Sequence, residues 1–348
     1  RYIDSVISKL SSVRLKKIHP MVLQILRIGV YQLLYLDRIP ESAAVNESVN
    51  LAKKYSNKGA IGYVNGVLRS LVRQKDKYKV DFEHISEQDL SKILSYPDYL
   101  VNLWEEQLGK EEGKNLLISS NTKAELNIRV NTLKTSINVL MDRLKDKGYK
   151  LRKGDYAKDC IIIENPAGLT STAEFTLGLF TIQDESSMLV SEVLNPTQGT
   201  LILDMCAAPG GKSTHLAQLI NDHGTIIARD QSEDKLKLIE ENIRRLGIRS
   251  IKTEVFDALK LDENLIGKVD YLLLDAPCSG FGLIRRKPDI KWNRTKEEVN
   301  SLVEIQERML NIASNYIKDN GVLVYSTCTI NNDENLNQIT KFLNNNPQ

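Results

Sequence analysis

Two patterns of apolar spacing divide the chain. In the first 75 residues, apolar side chains recur every three or four positions, which is the spacing of one buried face of a helix. From Thr200 onward, short apolar runs alternate with such helical segments, which is typical of a parallel sheet covered by helices. The pattern predicts a helical front end, an α/β back end, and a stretch of different character between them.

The front end, residues 1–75, is predicted to be a small all-α bundle. Its apolar positions indicate three helices, at His19–Leu36, Ser42–Tyr55 and Ala60–Val72. Gly29 lies on the apolar face of the first helix, where the absence of a side chain would allow a close contact with a neighbouring helix.

The middle of the chain is assigned to a linker with helices and to a small module. A polar stretch from Gln74 to Asp89 is predicted to be a linker, and residues 90–118 are predicted to be helical, so that 76–125 form one segment. Residues 126–180 are expected to form a small α+β RNA-binding module. Its strands are predicted at Leu126–Val130 and Cys160–Glu164, around a helix at Ile137–Lys147.

Three polar residues of this module are candidates for RNA contact. Arg129, Asn131 and Lys134 could bind a polyanion, but ordinary residues of an edge strand explain them equally well.

The back end, residues 181–348, is predicted to be a doubly wound α/β domain. Its strands are expected at Leu201–Asp204, Thr225–Arg229, Lys252–Val255, Val269–Asp275 and Val322–Thr327, and its helices from Gly211, at Glu233–Leu246 and at Lys296–Ile317. In such sheets ligands bind beyond the carboxyl ends of the strands, and the unusual residues of this chain are concentrated there.

Composition excludes several classes of protein. With 41% hydrophobic and 26% charged residues, and no apolar run of roughly 18 residues, the chain has ordinary globular values and no predicted membrane span. It begins at Arg1 and shows no secretory leader, so we expect a cytoplasmic protein. Four scattered cysteines without a Cys-x-x-Cys pair argue against a zinc site, and no metal is expected.

The net charge of +2 hides an asymmetry. Residues 1–75 contain thirteen basic and four acidic side chains, so the rest of the chain is mildly acidic. A basic module suggests binding to a phosphate backbone, although a solvated helical surface is the simpler alternative.

The first strand end carries the sequence DMCAAPGGKST, which is a candidate cofactor loop. Its small residues would let the backbone approach a ligand, and the next helix offers free N–H groups; the loop residues are Cys206, Ala207, Ala208, Pro209, Gly210, Gly211 and Lys212. A P-loop is disfavoured, because Cys206 occupies the position of an essential glycine.

Two carboxylates follow the next strands. Asp230 could accept the ribose hydroxyls of an adenosine, and Asp257 in VFDAL lies where an adenine amino group would be. Each is a weak signal, since acidic residues often begin loops. Together they predict a pocket for a nucleoside without a polyphosphate.

The strongest candidates follow the last two strands. LLLDAPCSGFG places Asp275 and Cys278 beyond one strand, and VLVYSTCTI places Cys328 beyond another. Two of four cysteines at functional strand ends favour reactive thiols over inert core residues.

A basic segment from Leu283 to Lys296 is a candidate RNA-binding wall. Its basic side chains surround Trp292, which could stack on a base; the residues assigned to RNA contact here are Arg285, Arg286, Lys291 and Trp292. The alternative is a solvated loop with Trp292 in the core.

These motifs resemble two known families. The front sequence, HPMVLQILRIGVYQLLYLDRIPESAAVNESVNLAKKY, is similar to the NusB family of RNA-binding antitermination factors. The motifs DMCAAPGGKST, DAPCSG with RRKPDIKW, and YSTCTI with DEN resemble the signatures of the NOL/NOP/Sun family, S-adenosylmethionine-dependent RNA cytosine-C5 methyltransferases. Taken together, the chain resembles bacterial members that act on 16S ribosomal RNA.

The resemblance implies a Rossmann-like class I methyltransferase domain with S-adenosylmethionine in the pocket of Cys206–Lys212, Asp230, Asp257 and Asp275. It also implies that Cys328 is the nucleophile that adds to C6 of an unstacked cytidine. Asp275 would then stabilise the ring, and Cys278 would assist the final elimination.

Alternatives remain open at this stage. DNA cytosine-C5 methyltransferases use the cysteine of a Pro-Cys pair, which would make Cys278 the nucleophile. The substrate could be transfer RNA, or the chain could be a non-catalytic RNA-binding factor. Gln348 comes before the last strand pair that usually completes this fold, so the C-terminal strands are expected to be missing. The oligomeric state is not predicted.

Overall fold

The protein forms two compact units. The computed structural model describes residues 1–80 and 89–347, and its units are residues 1–121 and the chain from residue 122 onward. The predicted linker includes residues 81–88, which lie outside the described residues. Just before them, Lys75–Tyr78 forms a short 3₁₀ turn.

The first unit is all α-helical. Its helices are α1 (Tyr2–Leu10), α2 (Pro20–Tyr35), α3 (Glu41–Tyr55), α4 (Lys58–Arg73), α5 (Leu90–Ile93), α6 (Asp98–Leu108) and α7 (Lys110–Ser119). The three helices predicted for the front end are confirmed as α2, α3 and α4. Residues 90–118, predicted to be helical, form the three helices α5, α6 and α7, and α1 was not predicted.

Close helix packing in the first unit depends on Gly29. The apolar face of α2 is buried against the other helices, as its spacing predicts. A Cβ atom placed on Gly29 would lie 2.7 Å from Leu68 Cδ1 on α4 and 2.7 Å from Ser48 Oγ on α3. The glycine is therefore what lets α2 approach both helices, as predicted.

The second unit begins with a small α+β module. Its antiparallel sheet has the order β2-β3-β1-β4, and its elements are β1 (Leu126–Val130), α8 (Ile137–Asp146), β2 (Leu151–Lys153), β3 (Cys160–Ile163), α9 (Ala173–Thr176) and β4 (Phe180–Ile182). Two of the four strands were predicted. The other two have three residues each, too few for an alternating pattern to show.

The rest of the second unit is a parallel sheet with helices. Its strands are β5 (Leu201–Asp204), β6 (Thr225–Asp230), β7 (Ile251–Val255), β8 (Val269–Asp275) and β9 (Ile317–Ser326), in the order β7-β6-β5-β8-β9. Its helices are α10 (Glu185–Leu194), α11 (Gly211–Leu219), α12 (Glu233–Leu246), α13 (Lys296–Tyr316) and α14 (Leu336–Asn345).

The five predicted strands and three predicted helices of this domain are present, whereas α10 and α14 were not predicted. Three strand boundaries differ by one residue, and the last strand begins at Ile317 rather than at Val322, because Ile317 already pairs with Val269 across an irregular register. The predicted helix accordingly ends one residue early, at Tyr316.

The topology determines where a site can form. Because all five strands are parallel, their carboxyl ends meet at one edge of the sheet. Asp204, Asp230 and Asp275 are the last residues of three strands, and Cys328 follows the fourth by two residues. Among the residues described, no helix has both the length and the apolar character to cross a membrane.

Candidate active site

A cavity of about 190 Å³ lies at the carboxyl ends of the central strands. Of the predicted cofactor residues, it is lined by Cys206, Ala207, Ala208, Pro209, Gly211, Lys212 and Asp275. The remaining lining residues, which the sequence did not assign to the cofactor, are Ile182, Gln183, Asp184, Ser187 and Asp204; the first four lie in the segment IQDESSML, Ile182–Leu189, which resembles a further motif of the NOL/NOP/Sun family. Four of these five come from the segment that ends β4 and begins α10, so the small module and the α/β domain build the cavity together.

Three predicted cofactor residues lie outside the lining. Gly210 precedes the first turn of α11. Asp230 ends β6 close enough to Cys206 for its charge to act on that thiol. Asp257 follows Phe256, whose N–H donates to the carbonyl of Asp230 at 3.1 Å. Asp230 and Asp257 therefore lie at or just after the carboxyl ends of two neighbouring strands, β6 and β7.

Asp204 is a buried carboxyl group in this site. Its Oδ2 accepts a hydrogen bond from Ser213 Oγ at 2.6 Å, while its Oδ1 has no protein partner. Burial, partly offset by Ser213, raises the pKa of Asp204 to about 7. An acid at the end of a buried strand, immediately before a loop of small residues, is the sequence signal that could have identified it.

Lys212 and Asp275 form an ion pair at the cavity. Lys212 Nζ lies 2.6 Å from Asp275 Oδ2, and Ser326 Oγ donates to Asp275 Oδ1 at 2.7 Å. Both oxygens of this carboxylate thus have a donor. The sequence predicted both charged residues for the cofactor site, and the structure shows that they act as one unit.

The two cysteines after β8 and β9 are in contact. Cys278 Sγ lies 3.1 Å from Cys328 Sγ, and the N–H of Cys328 donates to Cys278 Sγ at 3.2 Å. The hydrogen bond from Cys278 lowers the pKa of Cys328, and the charge of Lys212 acts in the same direction, against burial and Asp275. The same contact, together with burial, raises the pKa of Cys278.

A glycine after Cys278 allows the two cysteine loops to touch. The N–H of Gly282 donates to the carbonyl of Cys328 at 3.0 Å. A Cβ atom on Gly282 would lie 2.9 Å from that oxygen, so a larger residue would push the loops apart.

The predicted RNA-binding wall is only partly exposed. Trp292 is 49% exposed, and Arg285 and Arg286 are surface residues that donate to the carbonyls of Lys123 and Glu125 at 2.8 Å. Lys291, in contrast, is 6% exposed, so the structure does not place it on the phosphate-binding surface that the sequence predicted. Burial also lowers the pKa of Lys291 to about 8.

Arg129, which the sequence assigned to RNA contact, is not on the surface, because its side chain is completely buried. The guanidinium donates to Gln218 Oε1 at 2.8 Å, to the carbonyl of Gly211 at 2.6 Å and to Thr214 Oγ1 at 2.9 Å, and it contacts Gln183 Oε1. All of these acceptors are neutral. Arg129 therefore connects β1 of the small module to the start of α11, beside the cofactor loop.

Two neighbours of Arg129 make similar connections. Asn131 Nδ2 donates to the carbonyls of Gly178 and Leu246 at 2.8 and 2.9 Å. Lys134 Nζ donates to the carbonyls of Leu177 and Arg245 at 2.8 and 2.9 Å. Side chains that could have bound a polyanion instead join the module to the end of α12.

The chain matches three families of known proteins. Residues 191–348 match the family described as 16S rRNA methyltransferase RsmB/F, residues 1–73 match the NusB family, and residues 96–170 match the ferredoxin-like domain of RsmF/B-like methyltransferases. "Probable ribosomal RNA small subunit methyltransferase B" from Bacillus subtilis is 38% identical over 335 residues, which is 95% of this chain and 74% of that protein. The chain belongs to the RsmB/F family of 16S rRNA methyltransferases.

Solved structures agree with membership of the RsmB/F family. The crystal structure of PH0851 has a TM-score of 0.81 at 28% identity, over 99% of this chain and 78% of that one. The crystal structure of NSun6 from Pyrococcus horikoshii with SFG has a TM-score of 0.68 at 26% identity, over 73% of this chain and 88% of that one. The three-part architecture predicted from the resemblance is confirmed.

The RsmB/F family and the neighbour bound to an S-adenosylmethionine analogue identify S-adenosylmethionine as the cofactor. The residues of this chain fit it. Asp204 lines the cavity, and its buried Oδ1 has no donor in the protein, so a ligand bound there could supply one. The protein is thus an S-adenosylmethionine-dependent methyltransferase that acts on RNA.

Proposed function

We propose that this methyltransferase modifies C5 of a cytidine in 16S ribosomal RNA through a covalent bond between Cys328 and C6. The observation that carries the proposal is the pair of thiols, 3.1 Å apart, at the strand ends that also hold the Lys212–Asp275 pair. A reaction at C5 needs both a nucleophile and a group that removes a proton, and two adjacent thiols can divide these roles.

Each step uses a group of this chain. The Cys328 thiolate forms a bond to C6, and the electron pair of the C5–C6 double bond moves into the ring, which makes C5 a nucleophile. S-adenosylmethionine, when bound, supplies the methyl group. The proton on C5 must then leave, so that its electron pair restores the double bond while the bond from C6 to Cys328 breaks and returns the thiolate.

The electrostatics favour Cys328 over Cys278 as the nucleophile. The thiolate is the reactive form of cysteine, and the pKa of Cys328 is lowered while the pKa of Cys278 is raised. Cys328 is also the more exposed of the two. A nucleophile at Cys278 would require the better-buried thiol, with the raised pKa, to ionise first.

Cys278 can change its role once Cys328 is bonded to the base. In the free protein, the contact with Cys328 is the largest cause of the raised pKa of Cys278. A Cys328 sulfur bonded to carbon carries no charge, so this cause disappears, while hydrogen bonds from the backbone of Cys328 and Gly280 still favour the Cys278 thiolate. After its own proton passes to solvent, Cys278 can accept the proton from C5.

The Lys212–Asp275 pair is positioned to handle charge on the ring. Attack at C6 spreads negative charge over the ring to its nitrogen N3, and a proton donor near N3 would stabilise this charge. Because Lys212 Nζ and Asp275 Oδ2 are 2.6 Å apart, the pair holds a proton next to the thiols. The sequence assigned this role to Asp275 alone. In the structure both of its oxygens already accept hydrogen bonds, so we assign the role to the pair.

The substrate assignment is supported by the relatives. Proteins at 32–38% identity are named ribosomal RNA small subunit methyltransferase B, which points to 16S rather than transfer RNA, and to a cytoplasmic location. The target cytidine must leave its stack to reach Cys328. The exposed Trp292, Arg285 and Arg286 are suited to hold the flanking nucleotides.

The test is methylation with S-adenosylmethionine labelled in its methyl group, using bare 16S ribosomal RNA or total transfer RNA, followed by digestion to nucleosides. We expect label in 5-methylcytidine from the ribosomal RNA only. Label from transfer RNA, or in another nucleoside, would contradict the substrate or the chemistry. A protein that binds RNA and cofactor without transfer would be a binding factor.

Single cysteine variants test the division of roles. We expect Cys328→Ala to abolish transfer without an adduct, and Cys278→Ala to remain covalently attached to RNA, detected as a shifted band on a denaturing gel. Cys160→Ala is the matched control, since Cys160 is buried in the sheet of the small module. An adduct with Cys328→Ala would reverse the assignment.

A further inference from the structure

One buried carboxylate links the two cysteine loops. Glu334 lies in a 3₁₀ turn, Asn332–Glu334, between β9 and α14, and its side chain has no exposed surface. Its Oε1 accepts from the N–H of Ser279 at 2.8 Å and from Gln306 Nε2 at 3.1 Å. Its Oε2 accepts from Ser279 Oγ at 2.5 Å and from Asn331 Nδ2 at 3.1 Å.

The donors to Glu334 come from both loops that carry the proposed catalytic thiols and from α13. Ser279 follows Cys278 directly, Asn331 belongs to the loop that begins with Cys328, and Gln306 lies on α13. Gln306 Nε2 also donates to the carbonyl of Pro277 at 2.9 Å. Glu334 is therefore connected to the residues on both sides of Cys278 and to the loop of Cys328.

A direct link between the loops depends on the same carboxylate. Ser279 Oγ lies 2.8 Å from Thr329 Oγ1, and Thr329 follows Cys328. The N–H of Asn331 donates to Thr329 Oγ1 at 3.3 Å. Because Ser279 Oγ donates its hydrogen bond to Glu334, it must accept one from the hydroxyl of Thr329. Each hydroxyl then both donates and accepts a hydrogen bond.

A carboxylate is the side chain that this place requires. Four hydrogen atoms point at the two oxygens, and an ionised carboxylate has acceptor sites for all of them and no proton of its own. An amide of the same shape would place two hydrogen atoms among these donors, of which only the Ser279 hydroxyl can also accept. Glutamine has nearly the same volume as glutamate, so Glu334→Gln changes the hydrogen bonding at this place and leaves the packing intact.

We propose that Glu334 is a positioning residue that holds Cys278 in hydrogen-bond contact with Cys328 by fixing the two loops that carry them. This inference rests on the proposed roles of Cys278 and Cys328. Glu334 does not touch either sulfur in the contacts described, so it acts through Ser279 and the loop of Thr329 and Asn331.

The test measures the contact between the thiols and does not require RNA. The rate at which iodoacetamide alkylates Cys328, followed by mass analysis of its peptide as a function of pH, reports the ionisation of this thiol. The charged or titratable groups that act on it are Cys278, Asp275 and Lys212. Cys278→Ala removes the stabilising donor and should move the alkylation midpoint to higher pH.

Glu334→Gln should move the midpoint in the same direction as Cys278→Ala. In the double variant the two shifts should not add, because both act by removing one hydrogen bond. Glu307→Gln is the matched control, since Glu307 lies on α13 next to Gln306 but pairs with Lys341, and it should leave the midpoint unchanged. Affinity for S-adenosylmethionine should change less than twofold in all variants.

Two results would overturn the proposal: an unchanged midpoint in Glu334→Gln, or shifts that add fully to that of Cys278→Ala. If Glu334→Gln does not fold, Ser279→Ala removes one donor and the hydroxyl link to Thr329, and it must raise the midpoint for the proposal to stand. Failure of the proposed C5 reaction would appear separately, as wild-type protein that alkylates normally but forms no 5-methylcytidine.

Discussion

Replacing Arg129 by methionine tests whether the contact between the small module and the cofactor loop is structural. The change removes the buried guanidinium but keeps a long side chain of similar reach. It removes one donor from the Oε1 atoms of Gln183 and Gln218, from the carbonyl of Gly211 and from the hydroxyl of Thr214. The Gly211 carbonyl keeps a hydrogen bond from Thr214 Oγ1 at 3.1 Å, but the two buried glutamines lose a charged donor that water cannot readily replace.

The magnitude follows from two opposing effects. Each hydrogen bond to a charged group contributes about 1.5–3 kcal/mol, and breaking a buried network by removing one member typically costs about 3–5 kcal/mol. The variant also removes a charge whose burial is unfavourable, as the lowered pKa of Arg129, about 9, indicates. We expect the loss of acceptor partners to exceed this gain, with a net destabilisation of about 3 kcal/mol.

Thermal unfolding followed by circular dichroism measures this loss. For a unit of this size, 1 kcal/mol corresponds to about 2–4 °C, so the unfolding temperature of the second unit should fall by about 6–12 °C. Affinity for S-adenosylmethionine should also fall, because Arg129 holds the carbonyl of Gly211, which lines the cavity. Arg143→Met is the control, since Arg143 is an exposed arginine on α8 of the same module.

The reasoning would be refuted by an Arg129→Met variant with an unchanged unfolding temperature and unchanged cofactor affinity. If that variant instead lost affinity only for RNA, the sequence-based assignment of Arg129 to RNA contact would be correct after all. The two hypotheses therefore predict changes in different measurements on the same protein.

Two further predictions concern a buried acid and a helix contact. The folded state holds the proton of Asp204 up to about pH 7, whereas the unfolded state releases it near pH 3.8. The free energy of unfolding should therefore fall by about 3 kcal/mol between pH 5 and 8, and this decline should be absent in Asp204→Asn. Urea unfolding measures it, and the same pH dependence in both proteins would contradict the prediction. Gly29→Ala places a methyl group 2.7 Å from Leu68 and Ser48 and should destabilise the first unit by about 1–3 kcal/mol in the same assay, whereas Gly62→Ala, with open space around it, should not destabilise it.

Two residues that the sequence assigned to an RNA-binding surface, Arg129 and Lys291, are buried in the structure. Both residues are charged, and charged side chains are expected at the surface because burying an isolated charge is unfavourable. Arg129 can be buried because Gln183, directly after β4, and residues of α11 supply acceptors, and these partners are more than 50 residues away in the chain. No local pattern records that such partners exist.

The positions of several helices, of the parallel strands and of the site loops could be predicted from the sequence alone. The spacing of apolar residues is enough to place α2, α3 and α4 and the five strands of the parallel sheet, because burial of one face or of a whole strand leaves a periodic record. Parallel strands also bring their carboxyl ends to one edge, so the loop at Cys206–Lys212 and the cysteines could be assigned to one site.

Only the tertiary structure decided how the site residues act on one another. The 3.1 Å contact that separates the pKa values of Cys278 and Cys328, and the pairing of Lys212 with Asp275, join residues 50 and 63 positions apart. The four donors around Glu334 likewise come from three separate segments. Hydrogen bonds and charge interactions depend on distances of a few ångström, which are set by how the loops pack and not by the identity of neighbours along the chain.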